Sequence, residues 1–396
     1  MTQPSLDTAD IRRRNLSAVL GHVIEQGAAS RSGIADATAL SRGAVTSLVV
    51  DLTAAGLLRE REAVAAAKGR PRVLLEPAAD DLCLIAALLD ADRATVVAST
   101  LGGVELLRVQ RRHGRPMGDP DAIAAVLAAT IDEVAAAVPR RITDLAIVVW
   151  APVAGTPPVV LADTDLQWGE VDLIALTRAG SEAVRSFEAH GGSVELIADS
   201  EVAALAEHAS AGHPDGMLYL KADSGVGGAI VLGARTPRVI GAALGHQPII
   251  PDGELCECGQ HGCLVTVAGP DVLLAATGLT DLATTEGLDA ALAEFTTRVR
   301  AGDARAVAAW TPACAEVARA VQISATAFWP ETIVLGGFYA GLAADVEAVL
   351  RSIQPHIAQA RALPVPRVVG SVLGADAALL GAQRAARARV IADPLH

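Results

Sequence analysis

Aromatic residues are scarce in this sequence. The 396 residues include four Phe, four Trp and two Tyr, which together make 3% of the chain, whereas 52% of the residues are hydrophobic. Any core must therefore be built from Val, Leu, Ile and Ala. A chain of this length is expected to fold into two or three domains rather than one.

Long apolar runs are also lacking. No run reaches the roughly 18 residues that a membrane-spanning helix needs. The N-terminal segment MTQPSLDTADIRRRN has no apolar centre of the kind found in secretion signals. We therefore expect a cytoplasmic protein that does not associate with a membrane.

Lysine is almost absent, because every basic residue other than Lys68 and Lys221 is an arginine. The charge is uneven: residues 1–76 hold ten basic and eight acidic residues, whereas the remainder holds 22 basic and 37 acidic residues. A slightly basic head on an acidic body is compatible with nucleic-acid binding confined to the N-terminus.

Residues 1–78 are predicted to form a winged helix-turn-helix domain. Apolar residues at helical spacing run from Ile11 to Gln26, and Ser30 can cap a short second helix. A turn at residues 39–41 then leads into a longer third helix that Ser41 can cap. Two helices joined by a short turn are the elements of a DNA-reading helix-turn-helix.

The predicted DNA contacts lie at two places in this head. Polar residues near the start of the third helix fall off its apolar stripe, at the end of a recognition helix that reaches base edges. Two strand-like segments then flank the tip KGRPR, whose arginines suit a narrow minor groove. The predicted contacts are Ser41, Arg42, Thr46, Ser47, Lys68 and Arg70. The alternative is a dimerisation or protein-docking module.

Strand-like and helix-like segments alternate throughout residues 79–396, which predicts an α/β body. The body is too long for one sheet, so we expect two lobes. The first lobe is predicted at about residues 79–195 together with the C-terminal helix, and the second at about 196–380.

Three of the five cysteines cluster in the segment HQPIIPDGELCECGQHGC, residues 246–263. Cys256, Cys258 and Cys263 with one histidine form a closed tetrahedral ligand set suited to structural zinc. Either His246 or His261 can supply the imidazole. The remaining two cysteines lie in apolar segments and are expected to be inert.

Several motifs together resemble one protein family. SRSGIADATALSRGAVTSLVVDL and GRPR in the head are followed in order by LADTDLQWGEVDL, SGVGGAIVLGA, CECGQHGCL, IVLGG and LGADAALLGA. This order resembles the ROK family (repressors, open reading frames and kinases), and within it the xylose-repressor and N-acetylglucosamine-repressor type. The resemblance implies a two-lobed actin-like ATPase or hexokinase fold with a sugar-binding cleft, and it selects His246 as the fourth zinc ligand.

The resemblance also shows what is missing for phosphoryl transfer. ROK kinases carry Asp-x-Gly-Gly-Thr in the first phosphate loop, whereas this chain has Ala91, Asp92 and Arg93 after Asp90. Close backbone approach to phosphate requires glycine, and a carboxylate repels phosphate. The second glycine turn, DSGVGG, is retained, although such a turn also marks a tight hairpin. We expect a DNA-binding regulator that is not an enzyme; the alternative is a sugar kinase with an accessory head.

The implied sugar site is incomplete as well. Asp199 and His246 remain, whereas Ala198, Ala243 and Val265 stand where relatives carry an Asn, a Glu and a further carboxylate. Each lost hydrogen-bonding group costs about 1–3 kcal/mol, so the effector is predicted to be atypical and less polar, or absent. Asp199 can alternatively cap a helix. The expected macromolecular partner is a double-stranded operator, bound by a homodimer or a dimer of dimers.

Overall fold

The structure is a computed structural model that describes residues 8–61, 73–78, 81–114, 118–161, 167–353 and 366–395. The described residues form an N-terminal head and two lobes, each lobe built on a five-stranded sheet. None of the described helices is both long enough and apolar enough to cross a membrane.

The head is a helix-turn-helix with a small sheet. Ser30 Oγ accepts a hydrogen bond from Gly33 N at 3.1 Å and Ser41 Oγ accepts one from Ala44 N at 3.2 Å, so each serine caps a helix. Between these helices Ala39 adopts the left-handed conformation, with φ of 56°. The elements are α1 (Thr8–Gln26), β1 (Ala29–Ser30), α2 (Arg31–Thr38), α3 (Arg42–Ala54), β2 (Leu58–Arg61) and β3 (Leu74–Pro77).

The strands of the predicted wing pair in antiparallel fashion, with Leu58 opposite Pro77. Strand β3 lies in the middle of the sheet, because β1 pairs with its other edge. The tip residues Lys68, Arg70 and Arg72 lie outside the described residues. Their proposed contacts with DNA stay predictions.

The first lobe has a sheet with the strand order β6-β5-β4-β7-β10. Its strands β4, β5 and β6 form an antiparallel meander, and β7 and β10 continue parallel to β4. Every residue of β4 is buried, as expected for a central strand covered on both faces. The elements of this part of the chain are β4 (Leu82–Leu89), β5 (Arg93–Ser99), β6 (Glu105–Arg112), α4 (Pro120–Ala137), β7 (Arg141–Val149), β8 (Val153–Ala154), β9 (Val159–Val160), α5 (Leu173–Gly180), α6 (Glu182–Ala189) and β10 (Val194–Ala198).

The second lobe repeats this topology. Its strand order is β13-β12-β11-β14-β15, again an antiparallel meander followed by two parallel strands. The two-lobed α/β fold predicted from the sequence is thereby confirmed. The elements are α7 (Asp199–Ser210), β11 (Gly216–Ala222), β12 (Val226–Leu232), β13 (Arg238–Ala242), α8 (Val265–Ala268), α9 (Pro270–Thr277), α10 (Thr280–Thr285), α11 (Leu288–Arg300), α12 (Ala304–Phe328), β14 (Thr332–Gly337), α13 (Ala343–Ile353), β15 (Arg367–Gly370) and α14 (Ala377–Ala392).

Helices α7 and α14 pack between the two sheets. One apolar cluster joins side chains of both helices to both sheets, with Val148 from the first sheet and Val334 from the second. The helices approach closely, because a Cβ placed at Gly381 would lie 2.0 Å from the Val202 carbonyl oxygen. This helix pair is therefore the joint between the lobes.

The core of the head continues into the body. Leu20 and Val49 of the head belong to the same apolar cluster as Leu84 of β4 and Val390 of α14. The Arg141 guanidinium also donates a hydrogen bond to the Ala55 carbonyl oxygen at 2.7 Å. The head is thus packed against the first lobe and the C-terminal helix. The boundaries expected near residues 78 and 195 stay predictions.

Candidate functional site

Three carboxylates and one indole ring lie directly after strands. Asp90 follows β4, Trp150 follows β7, Asp199 follows β10 and Asp223 follows β11. In open α/β sheets ligands bind beyond the carboxyl ends of the strands. The carboxyl ends of both sheets therefore mark the cleft between the lobes as the candidate site.

A cavity of about 320 Å³ opens in this cleft, and we name it the cleft cavity. Both sequence-predicted ligand residues, Asp199 and His246, line it, as do Ala198 and Ala243. The full lining is Trp150, Ala151, Pro152, Val153, Ala198, Asp199, Ser200, Glu201, Lys221, Ser224, Gly225, Val226, Gly227, Gly241, Ala242, Ala243 and His246.

A second cavity of about 320 Å³, the knot cavity, adjoins the first and is lined by Val265, Cys256 and Leu255 among others. Trp150 lines both cavities and packs against the apolar cores of both lobes. The positions at which the family resemblance predicts sugar-binding groups are consequently divided, since Val265 lies in the knot cavity and Ala243 in the cleft cavity. Nothing in the sequence pattern around Trp150 predicts this position.

Asp199 is held by a lysine that sequence reasoning missed. Lys221 Nζ donates to Asp199 Oδ2, and to Asp223 Oδ2 at 2.8 Å. Burial by itself lowers the pKa of Lys221, but the two carboxylates outweigh burial and raise it well above the usual value. Helix α7 has no side-chain cap, so Asp199 forms an ion pair rather than a cap. The one available signal was that Lys221 is one of only two lysines.

Ion pairs occupy the first phosphate turn. Asp92 is 4% exposed and pairs with Arg93, Nε to Oδ1 at 3.1 Å, and with Arg112 at 3.5 Å. Arg93 also reaches across to Asp289 of α11 at 2.5 Å. The turn that holds phosphate in a kinase therefore links the two lobes through side chains in this protein.

The second glycine turn is a hairpin between β11 and β12, in which Ala222 lies opposite Val226. A Cβ at Gly228 would lie 2.2 Å from the Tyr219 carbonyl oxygen, so this glycine is required by strand packing. Sheet geometry thus accounts for the retention of this glycine.

A cavity of only about 40 Å³ remains between the two turns. Such a volume holds a few water molecules. Its ionisable lining consists of Asp90, Asp199, Asp223, Asp289 and Lys221. Four carboxylates against one ammonium group make this space unfavourable for phosphate.

The four predicted metal ligands converge. Candidate ligand atoms of His246, Cys256, Cys258 and Cys263 all lie within 4.8 Å of one another. The two sulfurs of Cys258 and Cys263 are 3.6 Å apart, and His246 Nδ1 is 3.5 Å from Cys256 Sγ. Tetrahedral zinc with Zn–S bonds of about 2.3 Å has donor–donor edges of about 3.8 Å. The donor set and its spacing therefore fit a zinc-type metal.

The loop that carries these ligands, residues 246–263, is called the metal knot below. His261 is not part of the ligand cluster, because its Nδ1 is 2.9 Å from the Gly253 carbonyl oxygen. Gly262 has φ of 71°, and a Cβ there would lie 1.8 Å from the Ile250 carbonyl oxygen. Only glycine fits this position.

Cys83 and Cys314 lie in the apolar cores, at 1% and 3% exposure. Burial raises the pKa of Cys83 to about 11 and that of Cys314 to about 12. Both thiols are consequently protonated and unreactive at neutral pH.

The predicted recognition helix presents a polar face to solvent. Arg42, Thr46 and Ser47 are exposed, while Val45 and Leu48 are buried on the opposite side. Thr46 Oγ1 donates to the Arg42 carbonyl oxygen at 2.9 Å, and Ser41 Oγ is engaged as the cap. Val50 also lies exposed on this helix, at 59%, where sequence reasoning did not place a contact.

Residues 94–389, about three quarters of the chain, match the ROK family domain. The chain belongs to the ROK family. Among solved structures, a ROK family transcriptional regulator described as a homologue of the E. coli MLC protein aligns with a TM-score of 0.71. That alignment covers 97% of this chain and 98% of the regulator, at 24% identity.

Kinases of the family share the body. A ROK glucokinase from Streptomyces griseus, solved with glucose and AMPPNP, aligns with a TM-score of 0.61 over 77% of this chain and 99% of its own, at 20% identity. Both structural likenesses concern the fold. The alignment covers the glucokinase almost completely, and about a quarter of this ROK protein has no counterpart in it.

Two curated relatives are also kinases. A glucokinase from Halalkalibacterium halodurans is 32% identical over 211 residues, and an N-acetylmannosamine kinase from Yersinia pestis is 30% identical over 146 residues. These matches cover 46% and 36% of this chain, and the chain spans only 60% and 48% of those relatives. The matches therefore concern only part of each kinase and do not determine the activity of this protein.

The ionisation of Asp90 yields a prediction about stability. Burial raises the pKa of Asp90 to about 6, despite the nearby Lys221. Because this pKa lies above the unfolded value, the folded protein retains the proton between about pH 4 and 6, and stability falls as pH rises through that window. Asp90→Asn keeps an oxygen for the 2.8 Å hydrogen bond from Ala91 N. We expect a gain of about 1–3 kcal/mol in unfolding free energy at pH 8 and none at pH 4.

Thermal denaturation at both pH values measures this difference. Asp36→Asn, which changes an exposed carboxylate of the head, is the matched control and should shift the melting temperature little at either pH. An equal gain in unfolding free energy from Asp90→Asn at pH 4 and at pH 8 would contradict a raised pKa of Asp90.

Proposed function

We propose that the protein is a DNA-binding transcriptional repressor of the ROK type, without kinase activity. The observation that carries this proposal is the combination of an exposed polar recognition face in the head with phosphate turns filled by ion pairs in the body. The alignment of a ROK regulator over 97% of the chain supports it, because that alignment extends over head and body alike.

The recognition face proposed to enter the major groove consists of Ser41, Arg42, Thr46 and Ser47. Arginine reads guanine or phosphate through its planar fork, and hydroxyl groups bind either bases or phosphates. Val50 on the same helix can contact a thymine methyl group. Lys68 and Arg70 of the wing tip are proposed to add minor-groove or backbone contacts.

A homodimer is the expected DNA-binding form, because one recognition helix covers only a half-site. In this scheme the body sets the spacing of two heads. An effector in the cleft cavity would act at the start of α7, and the packed pair of α7 and α14 would carry the change to α1, which rests on α14.

A sugar kinase is the second candidate, since the curated relatives are a glucokinase and N-acetylmannosamine kinases. Phosphoryl transfer needs a phosphate cradle and a free base for the attacking hydroxyl. Neither is available here, because Arg93 and Asp92 fill the first turn and Lys221 engages Asp199. We therefore expect no ATP-dependent phosphorylation of glucose or N-acetylmannosamine above background. Turnover in a coupled ADP-release assay would replace the repressor proposal with the kinase.

The metal knot is proposed to hold one structural zinc ion through His246, Cys256, Cys258 and Cys263. The set leaves no coordination position for water, so the ion would contribute to local folding and not to catalysis. The knot has little regular secondary structure of its own, which makes a metal cross-link its main constraint.

Replacing Arg42 tests the proposed DNA interface. The DNA upstream of the protein's own gene provides the operator, and genomic footprinting narrows it to the bound site. Arg42→Ala should weaken operator binding by about 1–3 kcal/mol if Arg42 contacts a base, or lower the salt slope by about one if it contacts phosphate. Gel shift across a salt series distinguishes these outcomes.

The matched control for that experiment is Arg351→Ala. Arg351 is exposed on α13, far from the head in sequence, and pairs with Glu347 at 2.7 Å. Its removal changes the net charge equally and should leave operator affinity unaltered. If the Arg42→Ala variant bound the operator with wild-type affinity and salt slope, α3 would not be part of the DNA interface.

Removing one thiolate tests the zinc proposal. Cys258→Ser should lower the zinc content from about one ion per chain to near zero and lower the melting temperature, because three donors hold the metal far less tightly. Atomic spectroscopy of the purified protein measures the content. His261→Ala, outside the ligand cluster, should keep its zinc. A Cys258→Ser protein with a full complement of zinc would refute this ligand set.

A further inference from the structure

Glu201 is a carboxylate without a partner in the cleft cavity. It belongs to the first turn of α7, and a Cβ at Gly241 would lie 2.7 Å from its Oε1, so the carboxylate lies over the β13 backbone. Among the described residues, no side chain forms a hydrogen bond or ion pair with it. Burial is the one influence on its pKa, which is raised.

The other charges that line the cleft cavity are already engaged. Asp199 is paired with Lys221, whose remaining contact goes to Asp223 outside the cavity lining. The His246 ring lies 3.5 Å from Cys256 Sγ, within the metal knot. Glu201 is therefore the one unmatched charge among the described residues that line this cavity. A complementary ligand carries a positive charge.

The rest of the lining combines apolar side chains with the hydroxyl groups of Ser200 and Ser224 and with glycine backbone. Trp150, Pro152, Val153 and Val226 form its larger walls, and Ala151, Ala198, Ala242 and Ala243 add methyl groups. A hydroxyl group of a hexose that lay against one of these apolar walls would lack a hydrogen-bond partner, which weakens binding. The walls suit an apolar body instead, and an indole ring such as that of Trp150 also favours a cation nearby.

We propose that the cleft cavity binds a small organic cation, consisting of an apolar or aromatic body that packs on Trp150 and one protonated amine that pairs with Glu201. This inference rests on the proposed function, in which the cleft cavity is the effector site of a regulator. It replaces the neutral sugar of the family's sugar-binding members with an amine. The cavity volume of about 320 Å³ limits the ligand to a small molecule.

Calorimetry on the full-length protein tests the proposal with defined probes. Tryptamine and phenethylamine carry the amine, indole-3-acetate has the same ring with the opposite charge, and glucose represents the neutral sugars. We expect at least one amine to bind at micromolar to millimolar concentration, and indole-3-acetate and glucose not to bind. Failure of both amines at millimolar concentration, or equal binding of glucose or indole-3-acetate, overturns the proposal.

Glu201→Gln removes the charge and preserves the size of the side chain. It should weaken binding of the amine at least tenfold, with an unchanged melting temperature. Glu182→Gln is the matched control, because Glu182 also lies in the first turn of a helix but does not line the cavity. Equal amine affinity in the Glu201→Gln and wild-type proteins overturns the role of Glu201.

Operator binding without any probe separates this inference from the proposed function. Wild-type and Glu201→Gln proteins should bind the operator equally in its absence. If neither binds DNA, the repressor proposal fails, whereas the calorimetric comparison of amine, acid and sugar still decides the ligand class of the cavity.

Discussion

The close packing of α7 against α14 is the constraint on which the remaining architecture depends. Gly381 permits this approach, since any side chain there would collide with the Val202 carbonyl group. The N-terminus of α7 forms part of the cleft, and the flank of α14 supports α1 of the head. Both sheets also close on this pair. The head and both lobes thereby contact one helix pair, so a displacement of α7 acts directly on α14.

Side chains at the carboxyl ends of the strands join the two lobes across the cleft. The same turns that cradle phosphate in kinases still face one another, but arginine and aspartate side chains now span the gap between β5 and α11. Lys221 also links the two lobes, because its ion pair with Asp199 joins the end of the first sheet to the second sheet. Electrostatic attraction thus links the two lobes in this part of the cleft.

Local chemistry made much of this fold predictable. Serine caps, a short turn and an apolar stripe predict the head without tertiary information, and the cysteine spacing predicts the metal knot. The ion pair between Asp199 and Lys221 escaped prediction, because 22 residues separate them and only the sheet topology brings them together. Trp150 and Glu201 were missed for the same reason: an apolar residue after a strand and an acid in a helix are unremarkable until two lobes close around them.

His246 belongs to two neighbourhoods at once, since its ring faces Cys256 within the metal knot and the residue also lines the cleft cavity. A single imidazole therefore lies between the proposed zinc ligands and the cleft cavity. With the proposed zinc ion bound, coordination would fix the His246 ring, so a preparation stripped by chelating resin and one purified without it would differ in this wall of the cavity. Metal loading is consequently a variable to be fixed before affinities from separate preparations are compared.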